Sequence, residues 1–362
     1  MFQHVEKCPR EPRVPTSGDY RKSPSSNQGK HGKALGMNSY RGTGLSCNFH
    51  DNYLSLFLSL LAVNLMAIVI LSRGRCGLSG CITKYLVSMA VTDLLVIITA
   101  VLLNRIPAIY FPGSFLSITP VCSLTIALIY ASRDTSVWLT VAFTFDRFVA
   151  ICFQRLKTKY CTERTAVVVI TTICVLGSLK SVPWYFIHEP MLFINDVPWY
   201  CRVKEFRYTS PLWRAFDWLD RVLTPLVPFL LILMLNVLTV RFILAASKAR
   251  KRLRAQNNRE KQSDPEIENR RKSIILLFAI SGNFIILWIP NVVQFCLKYL
   301  TINYQITNIS DPRYILQESA NMLQLLNSCT NTFIYAVTQS SFRKELKDAL
   351  KYPLIVLGKI IK

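Results

Sequence analysis

The chain has 362 residues, of which 51% are hydrophobic and only 18% are charged, and its mean hydropathy is positive. This composition is too apolar for a soluble protein of that length and predicts a protein of the lipid bilayer. The formal charge of +22 suits attraction to an anionic membrane leaflet, so it gives no reason to expect nucleic-acid binding.

Seven apolar windows are each long enough to cross the membrane as a helix, which takes about 20 residues. They are too long for strands, and they lack the two-residue alternation of a membrane barrel. The sequence therefore predicts an all-α membrane protein, a bundle of seven transmembrane helices. The windows cover residues 53–71, 85–103, 121–152, 166–186, 222–244, 274–297 and 315–337.

The two ends of the chain differ from this bundle, which we expect over residues 51–340. Residues 1–50 are polar and rich in Pro, Ser, Gly, Lys and Arg, which predicts a disordered tail. Residues 341–362 follow the last window. Phe342, Leu346 and Leu350 recur there at helical spacing, which predicts a short amphipathic helix lying on the membrane.

Basic residues predict the orientation of the bundle, because Lys and Arg concentrate in cytoplasmic loops. The loop after the first window carries Arg73 and Arg75, the loop after the third carries Arg155 and Lys157, and residues 248–272 are strongly basic. We therefore expect a multi-pass plasma-membrane protein with an extracellular N-terminus.

The cysteines and the one glycosylation sequon fit this orientation. Eleven cysteines without Cys-x-x-Cys pairs argue against a metal cluster. Cys122 and Cys201 both fall on the outer, oxidising side, where they can form a disulfide; two unpaired thiols are the alternative. Asn308 begins the sequon, in a loop that is also predicted to lie outside.

Asp93 lies within the second window, where a carboxylate is costly unless it faces the bundle interior. Ser136, Asn327 and Asn331 are its expected partners, and the two asparagines share one helix face. These four side chains can hold a sodium ion together with water, or they can simply hydrogen-bond one another. No other cofactor is expected.

An ordered set of motifs resembles the rhodopsin-like G-protein-coupled receptors over residues 50–350. Within that family, the stretches SVWLTVAFTFDRFVAIC and ANMLQLLNSCTNTFIY are most similar to the orphan G-protein-coupled receptor 139 subgroup. The motifs are Asn64, Asp93, Cys122, Asp146-Arg147-Phe148, Cys201, Pro228, Phe284-x3-Trp288-x-Pro290 and Asn327-Ser328-x2-Asn331-Thr332-x2-Tyr335.

The resemblance implies a receptor, not an enzyme, that passes an extracellular ligand signal to a heterotrimeric G protein, here of the Gq type. Arg147 follows Cys122 by about 37 Å of helix, so the Asp146-Arg147 pair lies at the cytoplasmic end. There Asp146 would hold Arg147 at rest and release it to the G protein; an ion pair that only anchors the helix is the alternative. The resemblance also gives activation roles to Phe284, Trp288, Pro290, Asn331 and Tyr335, and a G-protein contact to Leu156 or Arg155.

Several positions depart from the family pattern. Phe148 replaces a Tyr, Thr332 replaces a Pro, Asn236 replaces a Tyr, and Arg270 stands where an acid often pairs with the arginine of the third span. With that acid missing, and with Asn236 and Tyr335 still able to hydrogen-bond near Arg147, we predict appreciable basal signalling.

The ligand is predicted mainly by exclusion. Ile129 stands where amine receptors carry an Asp, and residues 315–338 contain no Lys for a retinal Schiff base. The subgroup resemblance implies an amino-acid-like or short peptide ligand. The expected pocket residues are Ile129, Arg133, Asp220, Trp288, Asn291, Gln294 and Asn321.

Arg133 and Asp134 are adjacent charges in the third window, and neighbours in a helix sequence do not face each other. We expect Arg133 to pair with Asp220, and Asp134 to pair with Arg221 or Lys180. Two other roles for Arg133 remain open: a counter-ion for a ligand carboxylate, or a substitute for sodium at Asp93.

Three other classes of membrane protein can be compared with the sequence. An intramembrane hydrolase needs a metal or a nucleophile with a base, but all four histidines lie outside the seven windows. A secondary transporter typically carries internal repeats, and the two halves of this chain show none. A receptor-like membrane protein that does not signal is the main alternative.

Overall fold

The computed structural model describes residues 45–256, 265–300 and 311–360, which form a helical bundle with one β-hairpin. Residues 1–44 of the predicted disordered tail lie outside the described residues, as does the sequon at Asn308. Helix α1 begins at Leu45, ahead of the predicted first span.

The helices follow the predicted windows in order. The first half of the chain forms α1 (Leu45–Ser72), α2 (Gly80–Ile97) with a π-helical continuation (Ile98–Arg105), α3 (Ile106–Tyr110), a 3₁₀ turn (Phe115–Ser117), α4 (Thr119–Cys152), α5 (Gln154–Tyr160), α6 (Glu163–Ser181) and α7 (Pro183–Phe186). The second half forms β1 (His188–Ile194), β2 (Val197–Val203), α8 (Phe206–Thr209), α9 (Pro211–Arg221), a π-helical turn (Val222–Leu226), α10 (Val227–Gln256), α11 (Pro265–Leu300), α12 (Pro312–Thr338) and α13 (Ser340–Ile360).

Five segments of the described chain are long and apolar enough to cross a bilayer. The first helix adds the apolar stretch Ser59–Ser72, and α12 runs for 27 residues over the predicted seventh span. The all-α membrane bundle predicted from the sequence is confirmed. The five segments are Gly80–Tyr110, Thr119–Cys152, Glu163–Phe186, Pro211–Ala249 and Arg271–Lys298.

Helix α4 is the central element of the bundle. It runs for 34 residues from Thr119 to Cys152, with a proline in its first turn, where the missing N–H costs nothing. It contacts α2, α6, α10 and α11. Because α4 carries Cys122 near its start and Asp146-Arg147 near its end, we refer to the two ends of the bundle as the disulfide end and the Asp-Arg end.

A β-hairpin covers the disulfide end, and it is a feature that the sequence analysis missed. Strands β1 and β2 are antiparallel, and Asn195 (φ 49°) and Asp196 (φ 61°) make the turn between them. Asn and Asp tolerate this left-handed backbone better than most residues, which suits a two-residue hairpin turn. The Cys122–Cys201 disulfide joins β2 to α4 with a Cα–Cα distance of 6.3 Å, so the predicted pairing is confirmed.

The largest apolar core lies toward the Asp-Arg end, where α1, α2, α4, α11 and α12 meet α13. Tyr335 of α12 packs edge-on against Phe342 of α13, with ring centroids 6.1 Å apart, and both side chains are fully buried. Leu346 packs against the same core. The predicted helix after the seventh span is therefore present and docks through its apolar face.

Candidate functional site

A cavity opens between α4, α9, α11 and α12 toward the disulfide end, with a volume of about 40 Å³. Six of the seven predicted pocket residues line it; Ile129 is not among the lining residues. The side chains around it are unusually polar for a membrane interior. They are Tyr130, Arg133, Asp220, Arg221, Thr224, Pro225, Trp288, Asn291, Gln294, Phe295, Asn321 and Gln324.

Four charged side chains meet at the wall of this cavity, and we call them the buried charge cluster: Arg133, Asp134, Lys180 and Asp220. Lys180 Nζ lies 2.5 Å from Asp134 and 2.7 Å from Asp220, and Arg133 lies 3.7 Å from Asp220. Both carboxylates are at most 2% exposed. Two cations and two carboxylates cancel, as burial in a membrane requires.

Most of the predicted charge pairing agrees with these contacts. Arg133 pairs with Asp220 and Asp134 pairs with Lys180, as expected. Two details differ from the prediction. Arg133 also reaches its neighbour Asp134 at 3.4 Å, because its long side chain can fold back over the helix. Arg221 pairs with Asp217, one helical turn away, at 3.1 Å, not with Asp134.

Arg133 also lies at one end of a stack in which two aromatic rings are placed between two guanidinium groups. Its guanidinium lies 4.5 Å from the ring centroid of Tyr130, which stacks on Trp184 at 4.1 Å. The guanidinium of Arg207 lies over the Trp184 ring, 4.9 Å from its centroid. Cation–π contacts of this kind fix the orientation of the guanidinium, so the cavity has a rigid wall.

The opposite wall is formed by amide side chains of α11 and α12. Asn291 donates to the carbonyl of Ala320 at 3.1 Å, and Gln294 donates to the side-chain oxygen of Gln317 at 3.1 Å. Asn321 donates to Glu318 of its own helix at 3.4 Å. The first two bonds tie α11 to α12 around the predicted pocket.

A polar network surrounds Asp93 in the middle of the bundle. Ser136 donates to one carboxylate oxygen at 2.6 Å, and Asn331 donates to the other at 2.8 Å. Asn327, the fourth predicted member, instead accepts a bond from Asn283 at 3.2 Å. Asn283 was missed in the sequence analysis because a single Asn in an apolar window does not reveal its partner.

The donor set at Asp93 suits the predicted sodium ion, because carboxylate, hydroxyl and amide oxygens are hard ligands for a hard cation. Asp93 and Ser136 supply two of these oxygens directly, and Asp93 is fully buried. The charged contacts of Arg133 run to Asp134 and Asp220. They favour the internal ion pair over a role for Arg133 as the cation at Asp93.

Asp146 and Arg147 form an ion pair at the Asp-Arg end, and both are almost fully buried. Cys81 of α2 lies 3.3 Å from the Asp146 carboxylate as a thiol donor. Across the bundle, Arg147 donates to the hydroxyl of Ser273 in α11 at 3.4 Å. Ser273 and Cys81 were not predicted, since nothing in the sequence pairs either with the third span.

The predicted partners Asn236 and Tyr335 do not lie on Arg147. Asn236 accepts a hydrogen bond from Ser281 at 3.0 Å, which places it between α10 and α11. The buried Tyr335 hydroxyl has no hydrogen-bond partner among the described residues, and its ring packs against Phe342 of α13. The prediction that Asn236 and Tyr335 hydrogen-bond near Arg147 is therefore wrong. The side chain of Arg270 lies outside the described residues.

The remaining residues with a predicted role in activation lie on α11 and α5. Phe284 and Trp288 stack with centroids 5.2 Å apart and are buried against α4 and α10. Pro290 lies inside α11, two residues after Trp288. Leu156 on α5 is 51% exposed, so its surface is accessible for the predicted G-protein contact.

Comparison with known proteins gives matches over most of the chain. A family described as "7 transmembrane receptor (rhodopsin family)" matches residues 63–335. The FMRFamide receptor of Drosophila melanogaster is 26% identical over 294 residues, covering 78% of this chain and 50% of that protein. The chain thus spans about half the length of this relative.

Two vertebrate receptors are also similar. Somatostatin receptor type 5 of Rattus norvegicus is 24% identical over 272 residues, covering 74% of this chain and 68% of that protein. The thyrotropin-releasing hormone receptor of Mus musculus is 29% identical over 153 residues, covering 41% of this chain and 38% of that protein.

Proposed function

Because this chain belongs to the rhodopsin family of seven-transmembrane receptors, we propose that it transmits an extracellular peptide signal to a heterotrimeric G protein. The disulfide end then faces outward and receives the ligand, and the Asp-Arg end faces the cytoplasm. The resemblance to the orphan G-protein-coupled receptor 139 subgroup stays a prediction.

A peptide is favoured over other ligands by two kinds of observation. The similar receptors are named for FMRFamide, somatostatin and thyrotropin-releasing hormone. The cavity in this chain is lined by amides and by the buried charge cluster, and such groups suit the many donors and acceptors of a peptide. Ile129 stays the argument against a monoamine.

The observation that carries the signalling proposal is the set of contacts around Arg147. Its charge is neutralised by Asp146 on the same helix, while its link to the described side chains of α11 is one hydrogen bond to the Ser273 hydroxyl at 3.4 Å. A bond of this length to a neutral group is weak. The polar contact between Arg147 and α11 is therefore easily broken, which supports release of Arg147 to a G protein and basal signalling.

The test is G-protein activation in cells without ligand, across all G-protein classes and with the Gq class first. We expect a basal signal from the wild type that Arg147→Ala loses at matched surface expression. Arg164→Ala, at the exposed start of α6, is the matched control and should keep the signal. Equal signals from the wild type and Arg147→Ala in every class would contradict the proposed basal activity and favour a receptor-like protein that does not signal.

A further inference from the structure

Three buried donor atoms without hydrogen-bond partners among the described residues come from residues that line the same cavity. They are the Arg133 Nε, the Thr224 hydroxyl and the Trp288 indole nitrogen. Thr224 and Trp288 are each 3% exposed. Buried donors nearly always have a partner in folded proteins, so three of them around one cavity indicate a place built for a polar group.

The same cavity also offers hydrogen-bond acceptors. The Asp220 carboxylate lines it and is held by Lys180 at 2.7 Å and by Arg133 at 3.7 Å. Asn291 and Gln294 each donate one N–H to α12, and each side chain also carries a carbonyl oxygen that can accept a hydrogen bond. Donors and acceptors are thus both present.

Charge decides which ligand group fits this lining. The four charges of the buried charge cluster cancel, and Arg221, which also lines the cavity, shares the Asp217 carboxylate with Arg207 and Lys298. A ligand carboxylate would lie beside Asp220, and a ligand ammonium would lie beside Arg133, so each would place like charges together where water is scarce. A neutral group that both accepts and donates avoids this conflict.

We propose that the cavity binds a primary carboxamide of the ligand. Its carbonyl oxygen accepts hydrogen bonds from Arg133 and Trp288, and its NH₂ group donates toward Asp220. The Thr224 hydroxyl completes the set as donor or acceptor. This inference rests on the proposed function, and a peptide has two sources for such a group: an amidated C-terminus or an Asn or Gln side chain.

The test uses three pools of short synthetic peptides on cells expressing the full chain, with G-protein activation as the readout. One pool is C-terminally amidated and lacks Asn and Gln, the second is its free-acid counterpart, and the third is a free-acid pool that contains Asn and Gln. Activation by the first pool assigns the C-terminal amide, and activation by the third alone assigns a side-chain amide. Loss of the amide should lower potency about 100-fold, as expected when an acceptor-only anion meets a buried carboxylate.

Thr224→Val then tests the site itself, since it keeps the shape of the side chain and removes the hydroxyl. Potency of the active amide pool should fall about five-fold, the usual effect of one neutral hydrogen bond. Thr125→Val is the matched control, because Thr125 is buried in α4 and donates to its own helix at Val121. It should leave the potency unchanged.

Equal or stronger activation by the free-acid pool without Asn and Gln would overturn the carboxamide, as would unchanged potency in Thr224→Val. No response to any pool would overturn it too. The proposed receptor function is judged separately by basal signalling that depends on Arg147, so its failure is distinguishable from the failure of this inference.

Discussion

Lys180 is the residue on which the buried charge cluster depends most. Its ammonium group contacts both Asp134 and Asp220, and no other described side chain bridges these two carboxylates as closely. Its position at the end of α6 brings the fourth predicted span against α4 and α9. Lys180 therefore joins three elements through charge alone.

Replacing Lys180 by Met should destabilise the protein strongly. The substitution keeps a long side chain but leaves two buried carboxylates with only Arg133 between them. Removing one partner from a buried ionic cluster costs about 3–5 kcal/mol of the free energy of unfolding. The thermal unfolding midpoint in detergent and the amount of protein at the cell surface should both fall.

The control for this substitution is Lys159→Met, because Lys159 is exposed on α5 and surface changes usually have small effects. The double variant Lys180→Met, Asp134→Asn should recover part of the loss, since it removes one of the two unpaired charges. A Lys180→Met protein as stable as the wild type would show that the cluster is not a structural requirement.

For single residues, the sequence predicts ion pairs better than it predicts the hydrogen-bond partners of neutral side chains. Arg133, Asp134 and Lys180 lie in apolar windows and Asp220 lies just before one, so each charge needs an opposite partner and few pairings are possible. Hydroxyls, thiols and amides have many permitted partners. The bonds of Ser273 and Cys81 depend on how helices from distant parts of the chain are rotated, which one sequence does not reveal.

Among the elements, the contact between α4 and α6 is sensitive to side-chain volume at Gly177. A Cβ added at Gly177 of α6 would lie 2.7 Å from the hydroxyl of Thr135 in α4. Thr135 is buried and β-branched, so it has few rotamers to move into. The two helices can therefore approach closely only because residue 177 is a glycine.

Gly177→Leu should push α6 away from α4 and disturb Lys180 one turn further along. Overpacking of this kind costs about 1–3 kcal/mol, which the thermal unfolding midpoint in detergent would report. Gly282→Leu in α11 is the matched control, since nothing lies within 4 Å of a Cβ added there. The expectation fails if both variants unfold at the same temperature.

The hairpin carries a pH-sensitive group, His188, at the start of β1. Burial, together with the nearby positive charges of Arg207 and Lys204, lowers the pKa of His188 from 6.5 to about 4. Between these two values the unfolded chain binds more protons than the folded one. Stability from this group is therefore complete above pH 6.5 and is lost as the pH falls toward 4.

Acidification from pH 7 to pH 5 should thus lower the thermal unfolding midpoint of the wild type. His188→Gln removes the titrating group, so the midpoint of this variant should fall less over the same range. Measuring both proteins in one detergent isolates the contribution of His188 from that of the carboxylates. Parallel falls in the two proteins would exclude His188 as the cause.

The elements themselves differ in how well the sequence predicts them. Long apolar windows predicted the bounds of α4 and α12 closely. A spanning helix must satisfy its backbone hydrogen bonds internally, so an apolar window of that length has to be helical. The hairpin was missed because its strands are short and its signal, Asn195-Asp196 between two partly apolar runs, is weak without the disulfide partner in view.

In the whole molecule, α4 places the three polar sites in one line. Arg133 faces the cavity, Ser136 bonds Asp93 one turn later, and Arg147 lies at the far end against Ser273 of α11. Helix α11 borders the cavity through Trp288, and it contacts Arg147 through Ser273, nearer its beginning. A ligand that changes the position of α11 at the cavity therefore changes the contact of Arg147 directly.

The most direct test is nucleotide exchange with purified components. The full chain is placed in lipid nanodiscs with one purified heterotrimeric G protein at a time, and the rate of GTP binding is measured for the wild type, Arg147→Ala and empty nanodiscs. We predict that the wild type accelerates exchange on at least one G protein and that Arg147→Ala matches the empty discs. Equal rates in all three samples, for every G-protein class and with amidated peptides added, would contradict the account.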